Sequence, residues 1–110
     1  MARVCFVPGS GTLAAYLSGE IDHHAAQTLR NEIDAQVDDR LPELLTLDFS
    51  GVTFMDSSGL AVAINLYRAL ARTGRRLIVR GTPPQPMRVF RAAGLQKMMT
   101  FIDGEGQVQC

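Results

Sequence analysis

The chain has 110 residues, a size that fits one compact domain and leaves no room for two. Eleven Lys and Arg residues balance eleven Asp and Glu residues, so the formal net charge is zero, which argues against a protein that binds nucleic acid or an anionic membrane through bulk electrostatic attraction. Hydrophobic residues make up 46% of the chain, but charged residues interrupt every apolar run well before the ~18 residues that a membrane-spanning helix needs.

The two ends of the chain have no targeting or redox signature. The N-terminus reaches Pro8 and Gly9 too soon to hold the apolar region and cleavage site of a signal peptide. The two cysteines, Cys5 and Cys110, lie near opposite ends and have neither the spacing of metal ligands nor that of a redox pair. We therefore expect a protein of the reducing cytoplasm.

The first forty residues predict a hairpin followed by a helix. Residues 3–7 and 12–17 are short, partly apolar runs on either side of a glycine-rich turn, which favours two strands of an N-terminal hairpin. Residues 18–22 break this pattern, and Asp22 is a candidate N-cap because its carboxylate can accept hydrogen bonds from unpaired first-turn amides. Apolar residues then recur at every fourth position, as in a helix with one buried face: Ala25, Leu29, Ile33 and Val37.

A buried strand and an apolar helix follow. Residues 44–49 form a continuous apolar run of strand length, bounded by proline and glycine, which predicts a strand buried on both faces. We expect residues 50–56 to form a short loop. A second helix begins at Ser57 or Ser58 and runs to about Arg72. Because this helix is apolar almost all round, we expect it to pack in the interior or against a partner.

The remaining elements complete an α/β pattern. Residues 76–80 predict a strand, a third helix starts at Pro84 or Pro86 and ends at Gly94, and residues 98–102 predict a last short strand. The order is β-β-α-β-α-β-α-β, and strand–helix–strand units of this length pair their strands in parallel through right-handed crossovers. The sequence therefore predicts an α/β fold in which helices pack on a mixed sheet of four to five strands.

The segment FMDSSGL, residues 54–60, lies where parallel sheets place their functional groups, between a buried strand and the helix that follows it. A hydroxyl at the start of a helix faces unpaired amides and the positive end of the helix dipole, which favour an anion such as phosphate. Gly59 has no Cβ, so we expect it to leave room for another protein's active site. In the alternative interpretation, Asp56, Ser57 and Ser58 merely cap the helix and Gly59 serves packing.

Three segments in this order and spacing resemble the anti-sigma factor antagonists of the STAS domain family, above all the sporulation members of spore-forming bacteria. They are residues 19–24 (GEIDHH), residues 54–60 (FMDSSGL) and residues 81–95, which run from GTPP through VF to AGL. The similarity covers roughly residues 3–102. It implies a single STAS domain over residues 1–110, with a short tail after the core.

The resemblance implies a phosphorylation switch that works by exchange of partners. In the family, the serine directly after the motif aspartate is phosphorylated by an anti-sigma factor that is also an ATP-dependent serine kinase, and that position here is Ser57. The unmodified antagonist binds the kinase and frees its sigma factor, the phosphorylated form cannot bind, and a serine phosphatase restores it. Ser58 is expected to be a cap rather than the acceptor. The expected partner-binding residues are Asp22, His23, Asp56, Ser58 and Gly59.

A local charge effect explains how such a switch would operate. Phosphate adds about −1.5 to −2 charges at neutral pH. The helix start tolerates that charge, so we expect little refolding within the antagonist. At the interface, a dianion beside Asp56 and Asp22 would repel acidic partner groups and would be costly to bury without a dedicated cation.

Two other function classes are compatible with the sequence. One is a STAS-type sensory or scaffolding module of a larger assembly. The other is a small serine hydrolase that uses Ser57, although the flanks read Met-Asp-Ser-Ser-Gly rather than the Gly-x-Ser-x-Gly of a nucleophile elbow. The acidic neighbour Asp56 would also disfavour a developing oxyanion. We therefore expect a protein that is not an enzyme.

The other candidate sites have ordinary explanations. His23 and His24 are adjacent, so on a helix their side chains diverge, and no ligand cluster accompanies them, which predicts no metal site. No phosphate-cradling glycine motif occurs, so we expect no cofactor. A group of arginines lacks stacking aromatic residues, which favours a solvated rim over a nucleic-acid site: Arg72, Arg75, Arg76 and Arg80. We expect Met87, Met98 and Met99 to be core or groove residues, and an apolar groove along the third helix would help to hold a partner.

The C-terminus departs from the family pattern. Family members commonly end with a further helix, whereas only eight residues follow Ile102 here, two of them glycines. We expect that helix to be absent, shortened or frayed, which would expose surface near residues 98–101.

Overall fold

The structure, a computed structural model, describes residues 1–104. Within these residues five strands alternate with three α-helices and one 3₁₀ helix. In chain order they are β1 (Ala2–Pro8), β2 (Thr12–Ile21), α1 (His23–Arg40), β3 (Leu44–Met55), α2 (Ser57–Ala71), β4 (Arg76–Arg80), α3 (Pro84–Ala92), the 3₁₀ helix Leu95–Lys97 and β5 (Thr100–Ile102). No helix in this part of the chain is both long enough and apolar enough to cross a membrane.

The strands form one mixed sheet in which spatial order equals chain order, β1-β2-β3-β4-β5. β1 pairs with β2 in antiparallel fashion, so the predicted hairpin is confirmed. The other neighbours are all parallel, because each strand is followed by a crossover that returns the chain to the same edge. The predicted mixed α/β sheet is therefore confirmed, with five strands.

One hydrophobic core joins the sheet and the helices. Leu13, Leu45 and Leu77 are lateral neighbours on β2, β3 and β4, and all three are buried. On α3, Phe90 packs edge-on against Phe49 of β3, with 5.4 Å between the ring centroids. α1 buries the predicted stripe with one correction, since Ala26 rather than Ala25 is buried: Ala26, Leu29, Ile33 and Val37. Ala26 is three residues before Leu29 and lies on the same helix face.

The second and third strands are longer than the sequence predicts. Residues 18–21 were expected to break the first pattern and residues 50–55 to form a loop, and both expectations are wrong. These two glycine-containing segments pair with each other in parallel, with register shifts between Tyr16 and Ser18 and again between Gly19 and Glu20. Gly19 has φ +88°, and a Cβ there would overlap the carbonyl oxygen of Met1. The extension moves both strand ends to the site described below.

Arg80 is not part of a solvated basic rim, which corrects that expectation. Its Nε donates to the carboxylate of the fully buried Asp48 at 2.8 Å, and its Nη2 donates to the hydroxyl of Tyr16 at 3.0 Å. Asp48 also accepts from the backbone N–H of Ser50 at 2.9 Å and from the Ser50 hydroxyl. The hydrogen bond to Asp48 raises the pKa of Arg80 further above its ordinary value. The pair lies on register partners of β3 and β4, so it ties two parallel strands together.

The last strand is shorter than predicted. Thr100–Ile102 is extended, whereas residues 98 and 99 follow the 3₁₀ helix. Of the methionines near this strand, Met98 is 41% exposed and Met99 is buried. The expectation about a missing C-terminal helix falls on residues 105–110, which lie outside the described residues.

Candidate functional site

Two helix N-termini lie side by side at the carboxyl edge of the sheet. Ile21 and Met55 end the neighbouring parallel strands β2 and β3 and are register partners. Asp22 follows the first and Asp56 follows the second, and each is the N-cap of the next helix. The backbone N–H of Asp56 donates to the carbonyl of Ile21 at 3.2 Å, which connects the two caps. The structure therefore brings the segments that contain Asp22 and Ser57 to one edge.

The two aspartates cap their helices with their carboxylates. Asp22 accepts a hydrogen bond from the backbone N–H of Ala25 at 2.9 Å, so the predicted cap is confirmed. This bond lowers the pKa of Asp22 below its ordinary value of 3.8. Asp56 accepts from the backbone N–H of Ser58 at 2.8 Å. The prediction that Ser58 is the cap is therefore wrong, because Ser58 lies inside the helix and supplies the amide that is capped.

Ser57 and Ser58 face different grooves. Ser57 is the first residue of α2, is exposed, and lines a groove of about 510 Å³ between α2 and α3. Ser58 is half-buried and lines a groove of about 300 Å³ between α1 and α2, together with His23 and Arg30. Because the helix rotates by about 100° per residue, the two adjacent hydroxyls are presented to separate surfaces. A partner that approaches over α3 meets Ser57 and not Ser58.

Gly59 has a packing role. It is buried, and a Cβ at this position would overlap the Cγ and Sδ atoms of Met55 and come within 3.5 Å of Ile21. The absence of a side chain therefore lets the first turn of α2 lie close to the ends of β2 and β3. The expectation that Gly59 leaves room for another protein's active site is wrong, since its missing side chain would point into this chain's own core.

Gln85 is a site residue that the sequence analysis missed. Its side-chain amide pairs with the backbone of Met55 at both ends: Nε2 donates to the Met55 carbonyl at 2.8 Å, and Oε1 accepts from the Met55 N–H at 2.9 Å. The first turn of α3 is thereby attached to the residue immediately before the Asp56 cap. The Pro-Gln-Pro signal predicts the start of a helix, but no local pattern indicates the backbone that a glutamine pairs with thirty residues away.

The groove between α2 and α3 has one wall from each helix. Its lining is mostly apolar, with one cation: Ser57, Leu60, Gln85, Arg88, Val89, Ala92 and Ala93. An apolar groove along the third helix was predicted, and it is present. Met87, Met98 and Met99 do not line this groove: Met99 is a core residue, as predicted, whereas Met98 is exposed.

The two histidines lie at the exposed start of α1. Their ring centroids are 5.9 Å apart, and the rings are inclined by 65°. His23 lines the groove between α1 and α2, whereas His24 lies beside Met1, Ala2 and Asp22. Within residues 1–104, no group of three His, Cys, Asp or Glu side chains is arranged to hold a metal ion.

Known proteins are similar to this chain in sequence and in fold. The sequence profile of the STAS domain matches residues 9–108. The chain belongs to the STAS domain family. This STAS domain is 35% identical over 95 residues to an anti-sigma F factor antagonist of Paenibacillus polymyxa, and the alignment covers 86% of this chain and 81% of the relative.

Solved structures of an anti-sigma factor antagonist are similar to this STAS domain in two states. The unphosphorylated form of SpoIIAA superposes with a TM-score of 0.82 at 25% identity, over 96% of this chain and 90% of that one. The phosphorylated form of Bacillus SpoIIAA superposes with a TM-score of 0.76 at 25% identity, over 96% of this chain and 94% of that one. The resemblance inferred from three short segments is therefore confirmed.

Proposed function

We propose that this STAS domain is a cytoplasmic anti-sigma factor antagonist whose Ser57 is phosphorylated by an anti-sigma factor serine kinase. The unmodified form binds the kinase and releases its sigma factor, phosphorylation on Ser57 abolishes that binding, and a serine phosphatase restores it. The observation that supports this best is the exposed Ser57 hydroxyl at the first position of α2, between the Asp56 cap and an open groove. The domain itself performs no catalysis.

The choice of Ser57 over Ser58 rests on access. A kinase must bring the γ-phosphorus of ATP in line with the serine oxygen, so the oxygen has to be reachable from outside. The Oγ–P bond forms as the bond between the γ-phosphorus and the ADP oxygen breaks, and the hydroxyl proton passes to a base of the kinase. Ser57 is exposed and does not cap the helix, whereas Ser58 is half-buried in the groove between α1 and α2.

The loss of binding on phosphorylation is best explained by charge. Phosphoserine at position 57 adds about −1.5 to −2 charges next to Asp56, with Asp22 at the neighbouring strand end. A partner surface that accepts these carboxylates would have to bury a dianion as well, which is costly without a dedicated cation. The backbone around the serine is held by the Asp56–Ile21 hydrogen bond and the two bonds from Gln85, so we expect no refolding.

The proposed kinase-binding surface contains the exposed groups at this edge. Asp22 and His23 are exposed, and Asp56 and Ser58 are half-buried. Gly59 is buried, so we expect it to act through packing and to make no side-chain contact with a partner. The apolar wall of the groove, formed by residues such as Leu60, offers further area that a partner would cover.

Incubation with the cognate anti-sigma factor kinase and ATP tests the proposal. The wild-type protein should gain the mass of one phosphate, Ser57→Ala should gain none, and the matched control Ser58→Ala should gain one. Ser57→Ala should still bind the kinase, whereas Ser57→Asp should bind more weakly.

Three results would contradict the proposal. Phosphorylation of Ser57→Ala would move the site elsewhere. Failure of the unmodified domain to bind any anti-sigma factor kinase would favour a sensory or scaffolding module. Ester hydrolysis that is lost in Ser57→Ala would favour a small serine hydrolase.

A further inference from the structure

In the part of the chain that the structure describes, one cation, Arg88, borders the groove that Ser57 lines. Arg88 is exposed on α3 and borders the same cavity of about 510 Å³ between α2 and α3. Within residues 1–104, the two ion pairs join Arg30 to Asp34 and Arg80 to Asp48, and neither includes Arg88. None of the side chains that line the groove is acidic. Among the described residues, the guanidinium therefore has no anionic partner within the groove while Ser57 is unmodified.

The position of Arg88 is fixed by the helix to which it belongs. Gln85, Arg88 and Val89 are spaced i, i+3 and i+4, so they share one face of α3, and this face lines the groove. Gln85 attaches that face to the Met55 backbone through two hydrogen bonds of 2.9 and 2.8 Å. Met55 is two residues before Ser57, so the wall with Arg88 and the wall with Ser57 are connected through a short, hydrogen-bonded path.

The geometry points to Arg88 as the cation that binds the phosphate of phosphoserine 57 across the groove, an inference that rests on the function proposed above. A guanidinium presents a planar fork of N–H donors that matches two phosphate oxygens. Apart from the uncharged Gln85, the other lining residues are apolar and offer the phosphate no competing charged partner. This ion pair between Arg88 and phosphoserine 57 neutralises part of the negative charge that the phosphate adds to the antagonist.

The pair has a consequence for partner binding. In the unmodified domain the Ser57 hydroxyl and the Arg88 guanidinium are both exposed to a partner. After phosphorylation they bridge the groove between α2 and α3, so the modification removes two contacts and covers apolar surface. Phosphorylation then changes the shape and the charge of this surface with no movement of the backbone.

Phosphorus-31 NMR of a protein with phosphoserine encoded at position 57 tests the inference. The second ionisation of phosphoserine has a pKa near 6, and a guanidinium that favours the dianion lowers that pKa. Arg88→Gln should therefore raise the phosphate pKa by about 0.3 to 0.7 units. The matched control is Arg91→Gln, because Arg91 is exposed on the same helix but does not line the groove. The difference between the variants should shrink in about 1 M salt.

Two results would contradict the pair between Arg88 and phosphoserine 57. Equal phosphate pKa values in the wild-type protein, Arg88→Gln and Arg91→Gln would overturn the inference. A second measurement needs no variant: the Nε–H resonance of Arg88 should move on phosphorylation, and an unmoved resonance would also contradict the pair. Encoded phosphoserine requires no kinase, so failure of the kinase assay would refute the proposed function while leaving the Arg88–phosphate pair standing.

Discussion

Gln85 holds the first turn of α3 against the end of β3, and Gln85→Leu removes that attachment without removing its volume. The glutamine amide donates to the Met55 carbonyl at 2.8 Å and accepts from the Met55 N–H at 2.9 Å. Met55 is fully buried, and we expect a leucine at position 85 to keep water from its backbone groups. The substitution therefore leaves one backbone donor and one backbone acceptor unsatisfied.

The expected loss in the free energy of unfolding follows from those two unsatisfied backbone groups. A backbone polar group left buried without a partner costs about 1–3 kcal/mol. Two such groups give a loss of about 2–6 kcal/mol, a large part of the 5–15 kcal/mol typical of a domain. The melting temperature should fall by at least about 8 °C in a domain of this size.

Urea unfolding followed by circular dichroism measures the free energy of unfolding directly. Gln27→Leu is the matched control, because Gln27 is exposed on α1. This variant makes the same chemical change at a position where no backbone group loses a hydrogen-bond partner. Gln85→Leu should shift the urea midpoint to lower concentration, with an unchanged slope. If both variants unfold within about 0.5 kcal/mol of the wild type, the argument that the Met55 backbone depends on Gln85 is refuted.

Three further predictions concern the caps and the core. The pKa of Asp22 is lowered in the folded state, so the stability that its carboxylate contributes is complete above the ordinary value of 3.8 and is lost as pH falls through the folded pKa. Asp22→Asn caps the helix without titrating, so this variant should flatten that part of the acid unfolding profile. A profile equal to that of the wild type would contradict the prediction. Arg80→Met leaves the buried carboxylate of Asp48 without its cation and should lower the free energy of unfolding in urea by about 3 kcal/mol. The double variant that also carries Asp48→Leu should recover part of that loss. Equal losses in the single and the double variant would exclude a charge effect. Gly59→Ala forces a Cβ into Met55 and should cost about 1–3 kcal/mol through overpacking, a prediction that fails if the melting temperature is unchanged.

Local signals in the sequence were sufficient for the helices and for the order of the elements. The buried face of α1 is confirmed except that Ala26 replaces Ala25, and the Asp22 cap and the position of β4 are confirmed. Each depends on interactions within a few residues of the chain, such as a carboxylate that accepts an amide three positions ahead. The three family segments likewise led to the STAS domain family.

The strand ends and the internal role of each site residue were decided by tertiary structure. Residues 50–55 follow a continuous apolar run and contain a glycine, so the sequence predicts a loop there, yet β2 supplies backbone partners for them. Gln85 and Arg80 acquire their roles from partners about thirty residues away in the chain. Such hydrogen bonds and ion pairs form only after the crossovers bring distant segments together, so no local pattern of residue types encodes them.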